Sequence, residues 1–389
     1  MSNNFVQLGS VAEFINGAAF KPEDWGESGL KIIRIQNLTD SNKPFNRTKR
    51  VVSDKVRVQK GDLLVSWSAT LGVFEWLNEE EALLNQHIFR VLPNKEKVDK
   101  RYLRHGLEGA ILDMEKHLHG ATMKHVNRGE FLSTNLYLPP IAEQKRIAEI
   151  LDHTQSLISK RKEAIAKLDT LTQSIFLEMF GDTETNPHGW DIQALSNYVA
   201  QFQGGKSIES ESGENTITKN RILKVSAVTK MVFLPEESKP LSDNYEPAPE
   251  HFVRNGDLLF SRANTTELVG AVAYVKETPS NILLPDKLWR FVWKQPAKVL
   301  PLFVWSLFQT SVMRREIGKR ATGTSGSMKN ISQEKLLGIK TIVPPLPLQK
   351  EFAQRVEAVE KLKATHRASL SQLEALFASL QHRAFRGEL

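Results

Sequence analysis

Leu138-Pro139-Pro140-Ile141-Ala142-Glu143-Gln144-Lys145 and Val343-Pro344-Pro345-Leu346-Pro347-Leu348-Gln349-Lys350 are two versions of one passage. In each, the Pro-Pro pair breaks what precedes it and sets up a new element. The match does not stand alone. Gly61-Asp62-Leu63-Leu64-Val65-Ser66 recurs as Gly256-Asp257-Leu258-Leu259-Phe260-Ser261, and Met123-Lys124-His125-Val126 recurs as Met328-Lys329-Asn330-Ile331. One such match has an ordinary explanation in shared turn or cap chemistry. Three in the same order, with a separation that grows slightly along the chain, mark a duplication.

A long helix is expected after each Pro-Pro. In the first copy apolar residues fall at Ile147, Leu151, Ile158, Ile165, Leu168, Ile175 and Met179, with Thr154, Arg161 and Thr172 completing the series. The steps alternate three and four, which is a heptad seam. In the second copy the seam is Phe352, Val356, Val359, Leu370, Leu373, Phe377 and Leu380, interrupted by Lys363 and His366. Neither run meets another glycine until Gly181 or Gly387. Each helix is expected to hold about 38 residues and so to be about 57 Å long.

Ahead of each helix lies a mixed segment. Lys31–Ile35, Leu63–Val65 and Ile88–Val91 read as short strands, matched in the second half to Ile222–Val225, Leu258–Phe260 and Ala271–Val275. Further helices are expected around Arg101–Leu118 and Leu300–Gly318. The first long helix leaves one mixed segment and enters the next, and the second starts from that next segment. If the two pack through their seams they must run antiparallel, and the polar seam residues Arg161, Lys363 and His366 penalise wrong registers. A seam of this kind also suits a self-associating coiled coil. The expected fold class is α+β: two homologous α/β domains separated by two long antiparallel helices, with a pseudo-two-fold repeat. The expected boundaries are 1–138 for the first domain, 139–182 for the central helix, 183–343 for the second domain and 344–389 for the C-terminal helix. Two unlike domains held apart form a ruler, as in paired DNA readers set over roughly 34–36 Å per helical turn.

Composition agrees with globular domains: of 389 residues, 40% are hydrophobic and 25% charged, with 52 basic and 45 acidic side chains giving +7. The excess permits nucleic-acid binding without requiring it. The absence of cysteine excludes disulfides, thiolate metal sites and thiol nucleophiles, and suits a reducing cytoplasm. No signal peptide precedes the first domain, and no apolar run approaches the roughly 20 residues that span a bilayer, so a soluble cytoplasmic protein without a membrane partner is expected.

Motifs for catalysis are missing. Gly204-Gly205-Lys206-Ser207 resembles the end of a phosphate loop, but Ala200 stands where that loop needs its first glycine. His117, His119 and His125 cluster without a carboxylate at metal-ligand spacing. Glu79-Glu80-Glu81 reads as a solvated loop. No metal, no cofactor and no catalytic residue are expected.

The repeated Gly-Asp-Leu-Leu-x-Ser, the Pro-Pro-x-x-x-Gln-Lys helix starts, and the endings Phe176-Leu177-Glu178-Met179-Phe180-Gly181-Asp182 and Ala384-Phe385-Arg386-Gly387-Glu388-Leu389 together resemble the specificity subunit of type I restriction-modification systems. The resemblance covers essentially the whole chain. Pro347-Leu348 departs from the more usual Ala-Glu that the first copy keeps at Ala142-Glu143. It implies two target-recognition domains, and two helices that set their spacing and hold two methyltransferase subunits. Those partners carry the S-adenosylmethionine chemistry, and restriction subunits carry ATP-driven translocation and cleavage. The chain itself would be non-catalytic and would read a gapped, two-part target on double-stranded DNA.

Residues for DNA are sought on loops at the ends of the short strands, among side chains suited to phosphates or base edges. In the first domain these are Gln36, Asn37, Ser66, Trp67, Ser68, Asn85, Gln86, His87 and Lys124. In the second they are Lys224, Ser226, Arg262, Asn264, Lys287 and Lys329. Lys124 and Lys329 belong to Gly120–Lys124 and Gly323–Lys329, whose small residues allow close approach to phosphates. Turn chemistry alone is an equal account of the Ser66 and Ser261 loops. Trp67 and Trp289 suit a core or rim as well as a base stack. For methyltransferase contact the candidates are Glu143, Lys145, Arg146, Lys350 and Glu351, which also suit a plain solvated face. A coiled-coil scaffold for proteins, or the recognition part of a fused restriction-methylation enzyme, are the competing functions. The first would not need two unlike domains with polar loops at matching places. The second is disfavoured by the absence of an Asn/Asp-Pro-Pro-Tyr/Phe methyltransferase motif.

Overall fold

The computed structural model describes residues 4–117, 127–208, 218–325 and 328–389. The chain forms two compact units: residues 1–163 with 367–389, and residues 164–366. Each unit therefore owns part of both long helices.

In the first unit the elements are β1 (Phe5–Gln7), β2 (Ala12–Asn16), β3 (Leu30–Ile33), α1 (Ile35–Thr39), β4 (Asn46–Thr48), β5 (Arg57–Val58), β6 (Leu63–Ser66), β7 (Gly72–Glu75), β8 (Ala82–Leu84), β9 (Ile88–Pro93), α2 (Lys100–His117), α3 (Arg128–Ser133), β10 (Asn135–Tyr137) and the start of α4 (Ile141–Phe180). One sheet has the order β2-β9-β6-β7, a second β4-β3-β8-β5, and β1 pairs with β10. All of β6 is buried. Alternation explains how. Leu63 and Val65 point into a core with α2, α4 and the end of the last helix, while Leu64 points the other way, among Ile33, Val58, Trp76 and Leu84.

The second unit repeats the plan with β11 (Asp191–Ala194), β12 (Val199–Gly204), β13 (Arg221–Leu223), α5 (Ser226–Thr229), β14 (Ser238–Pro240), β15 (Leu258–Ser261), β16 (Ala263–Asn264), β17 (Val272–Tyr274), β18 (Ile282–Leu283), β19 (Leu288–Trp293), α6 (Pro301–Gln309), α7 (Ser311–Arg320), β20 (Thr322–Ser325), β21 (Met328–Asn330), α8 (Gln333–Leu337), β22 (Lys340–Val343) and the start of α9 (Leu346–Ala384). Its main sheet runs β12-β19-β15-β17, beside β14-β13-β18 and β16-β21-β20. Again Leu258 and Phe260 face the helices and Leu259 faces away.

Three expectations need correction. The strand expected over Lys31–Ile35 stops at Ile33, because α1 begins at Ile35. The counterpart of Ile88–Val91 is β19, since β9 and β19 each pair with both neighbours of the main sheet; Ala271–Val275 instead matches β7. The helix expected around Leu300–Gly318 is two helices. Thr310 separates them and its hydroxyl accepts the Met313 N–H at 3.3 Å, capping α7.

The seams hold as expected. Ile147, Leu151, Thr154, Thr172, Ile175, Phe352, Val356, Val359 and Lys363 are buried, and the other seam positions are half-buried. Within the second unit Lys363 pairs with Asp169 at 2.8 Å and Arg355 with Glu178 at 3.6 Å. The partner number rises as the first falls, so α4 and α9 are antiparallel there. Within the first unit Lys162 pairs with Glu374 at 2.9 Å. Lys363 is buried, and its charge is met by Asp169 and by Glu360 at 2.7 Å.

The duplicated motifs are joints. Gln144 is buried; its Oε1 accepts the Asp99 N–H at 2.8 Å and its Nε2 donates to Lys97 O and Pro139 O. Gln349 repeats this on Leu300 N–H, Lys298 O and Pro344 O. Each glutamine thus fixes the first turn of a long helix to the segment opening α2 or α6. In Gly-Asp-Leu-Leu the aspartate Oδ2 accepts a turn N–H, from Gln59 or Arg254, and pairs with Arg90 or Arg290 of the neighbouring strand. The acidic run is more than a solvated loop: Glu79 pairs with Lys60, Glu80 with Lys31 and Arg47, and Glu81 with Arg57.

Candidate nucleic-acid interface

At one end of the first unit's sheets four connections meet. They are the segment leaving β2, the turn from β3 into α1, the loop from β6 to β7, and the turn from β8 to β9. Backbone bonds join them: Ala18 N–H to Leu84 O, Gln86 N–H to Ala18 O, Asn85 N–H to Ile33 O, and Trp67 N–H to His87 O. The approach is so close that a Cβ on Gly17 would lie 2.1 Å from Asn85 O. In the second unit a Cβ on Gly205 would lie 1.7 Å from Leu284 O, and Arg262 N–H bonds to Lys287 O. Gly204-Gly205-Lys206-Ser207 is therefore a packing contact of the loop end. Among the described residues no group of histidines and carboxylates could hold a metal ion.

Nearly all the residues expected to meet DNA lie on these two loop ends, though far apart in sequence. Gln36, Asn85 and His87 are half-buried at the first, and Gln86 is exposed. Trp67 stacks on Phe89 with centroids 5.6 Å apart and meets the His87 ring edge-on at 4.9 Å. Asn37, Ser66 and Ser68 are buried. The Asn37 amide accepts the Arg34 N–H and donates to Lys43 O and Pro44 O, and the Ser66 hydroxyl donates to Ser68 O. Their burial differs from the exposed place expected of contact residues, and the bonds of Asn37 and Ser66 go to the backbone of their own loops.

At the second loop end Arg262 Nε donates to Asp286 O at 2.8 Å, and its guanidinium lies over Trp289, 5.7 Å from the ring centroid. Asn264 sits opposite Lys329 across the β16–β21 pair, and Lys329 Nζ donates to Gly323 O. Ser226 donates to Glu237 at 2.6 Å. Lys224 and Lys287 line a cavity of about 250 Å³ together with Lys206, Lys239 and Asp286. Trp289 is buried, a core residue. Lys124 and the side chains of His117, His119 and His125 lie outside the described residues.

The helix-face candidates differ in exposure. Lys145, Arg146, Lys350 and Glu351 are exposed and Glu143 is half-buried. Glu143 pairs with Arg146 at 2.6 Å, which holds its carboxyl below the usual range, and Glu351 pairs with Arg355 at 2.7 Å.

This architecture has known relatives. The model of the type I restriction modification DNA specificity domain matches residues 2–168. The MjaVIII type I restriction enzyme specificity subunit of Methanocaldococcus jannaschii is 22% identical over 394 residues, covering 95% of this chain and 88% of its own. The EcoKI specificity subunit of Escherichia coli K12 is 23% identical over 419 residues, covering 98% and 88%. Along almost its whole length the chain is similar to type I restriction-modification specificity subunits, and its first part matches the model of their DNA specificity domain. The S subunit of M. genitalium shares the fold, with a TM-score of 0.57 at 14% identity over 98% of this chain and 95% of that one. A subunit from a study of complex assembly and conformational transition in the type I system gives 0.56 at 16% identity, over 99% and 98%. Among the described residues of this chain no helix is long and apolar enough to cross a membrane.

Sequence reasoning missed three residues of these loop ends. Arg34 follows β3 and lies over Trp25, 5.3 Å from the ring centroid. Lys206 and Lys239 line the lysine cavity. Projecting Lys224 back through the duplication would have found Arg34. Lys239 had no such signal, because only the pairing of β14 with β13 brings it there.

Proposed function

We propose that this chain is the non-catalytic specificity subunit of a type I restriction-modification system and binds double-stranded DNA through both loop ends, each reading one half of a gapped target. The observation that supports it is the duplicated loop end itself: one backbone arrangement, carrying Trp67 and His87 in one copy and Arg262 and Lys287 in the other. One scaffold with different side chains suits two different short sequences. In this reading residues 1–138 and 183–343 are the target-recognition domains, and 139–182 and 344–389 are the spacers that set the gap. Two methyltransferase subunits dock on the spacers near Glu143, Lys145, Arg146, Lys350 and Glu351, restriction subunits join them, and the complex works in the cytoplasm.

The test is to co-express the chain with its methyltransferase and map methylated positions across the host genome. A gapped motif that disappears on deletion of the chain is expected, and exchange of residues 1–138 is expected to change one half of it. A continuous or palindromic motif overturns the reading. A well-formed complex that methylates nothing favours a protein scaffold instead.

A further inference from the structure

The rim positions of the two loop ends can be matched by hydrogen bonding and register alone. Ala18 and Lys206 make the same parallel bridge, to Asn85 and Pro285. Ile32 lies between Asn46 and Leu83, and Ile222 between Lys239 and Leu283, so Asn46 matches Lys239. Two residues further on, Arg34 matches Lys224, and each accepts the N–H three positions ahead, from Asn37 and Ala227. The bonds from Trp67 N–H to His87 O and from Arg262 N–H to Lys287 O match the last two positions.

At these five positions the first domain has Ala18, Arg34, Asn46, Trp67 and His87, with one permanent cation. The second has Lys206, Lys224, Lys239, Arg262 and Lys287, all cationic. Lys206, Lys239 and Lys287 are exposed, and the four lysines share one cavity in which Asp286 is the one acidic residue among the described lining. Asp286 lies 3.7 Å from Arg262. The first domain's equivalent surface is aromatic: Trp67 against His87, and Arg34 against Trp25.

We propose that the two domains divide the labour on DNA: the second grips phosphates with its lysine cleft and supplies most of the charge-driven affinity, and the first discriminates with little electrostatic help. The inference rests on the DNA-binding reading above. Each phosphate neutralised releases condensed counterions, so affinity falls with salt with a logarithmic slope of about −0.9 per contact. Contacts to phosphate position the protein, and base-edge contacts discriminate.

The test is equilibrium binding of the methyltransferase complex to its mapped target over a range of KCl concentrations. The variant K224Q/K239Q/K287Q is expected to flatten the salt slope by about 2.7, and R34Q/H87Q by about 0.9 or less. Equal losses, or no change in the second-domain variant, overturn the division. If a variant fails to assemble, the wild-type complex is measured on duplexes with neutral methylphosphonate linkages under one half-target or the other. Neutral linkages under the second half are expected to flatten the slope and those under the first to leave it nearly unchanged; the reverse overturns the inference. Loss of all target-specific binding by the unmodified complex sinks the DNA-binding reading itself, whereas specific binding with equal slopes sinks only the division.

Discussion

Gln349 Oε1 accepts the backbone N–H of Leu300 at 2.8 Å, deep in the second unit, where the glutamine is fully buried. Together with its bonds to Lys298 O and Pro344 O, this ties the start of α9 to the segment opening α6. Gln349→Ala leaves a donor and two acceptors without this partner. A loss of about 3 kcal/mol is expected, from an unsatisfied-group cost of roughly 1–3 kcal/mol. Urea unfolding followed by tryptophan fluorescence checks it; a change under about 0.5 kcal/mol would show that water replaces the glutamine.

Arg290 is the more buried member of the Asp257–Arg290 pair, at 7% exposure. Asp257→Ala strands this guanidinium and is expected to cost about 3–5 kcal/mol. In the first unit Arg90 and Asp62 are less enclosed, so Asp62→Ala is expected to cost less. Thermal unfolding of the two variants side by side checks the order, and the reverse order would count against burial as the cause.

Glu80 titrates at about 2 rather than 4.5, held down by hydrogen bonds from Arg47 and then Lys31. Because the folded value is depressed, its contribution is present above pH 4.5 and is lost as pH falls toward 2. Glu80→Gln is expected to weaken the acid dependence of the urea midpoint in that window. An unchanged pH profile would assign the dependence to other carboxylates, such as Glu316, also held at about 2 by Arg320 and Lys319.

Gly17→Ala and Gly205→Ala each force a Cβ into a backbone carbonyl, and neither clash can be relieved by rotating a side chain. Each is expected to disturb its own loop end. In the methylation map, Gly17→Ala is expected to degrade one half of the motif and Gly205→Ala the other. Loss of both halves from either change would mean that the domains do not read independently.

Much of the frame was legible in the sequence because its signals are local or periodic. The seam from Ile147 to Met179, the Pro-Pro pairs and the repeated Gly-Asp-Leu-Leu each announce one element and its copy. Long-range pairing was not. Nothing in Ile88–Val91 itself says that its counterpart is Leu288–Trp293; that follows from which strands flank β6 and β15. Ser66 and Asn37 look like contact residues until their burial is known. Lys239 joins the lysine cleft only through the sheet.

The glutamine joints touch their domains through main-chain atoms alone: the carbonyls of Lys97 and Lys298 and the amides of Asp99 and Leu300. A fastening of that kind is blind to the side chains of what it fastens. At that point an incoming segment would need only a matching backbone turn, whatever its side chains; what it must also bring is an apolar face for the long helices to pack on. The demands on a variable domain are thus confined to one turn and one face, and the rest of its surface is left open to change.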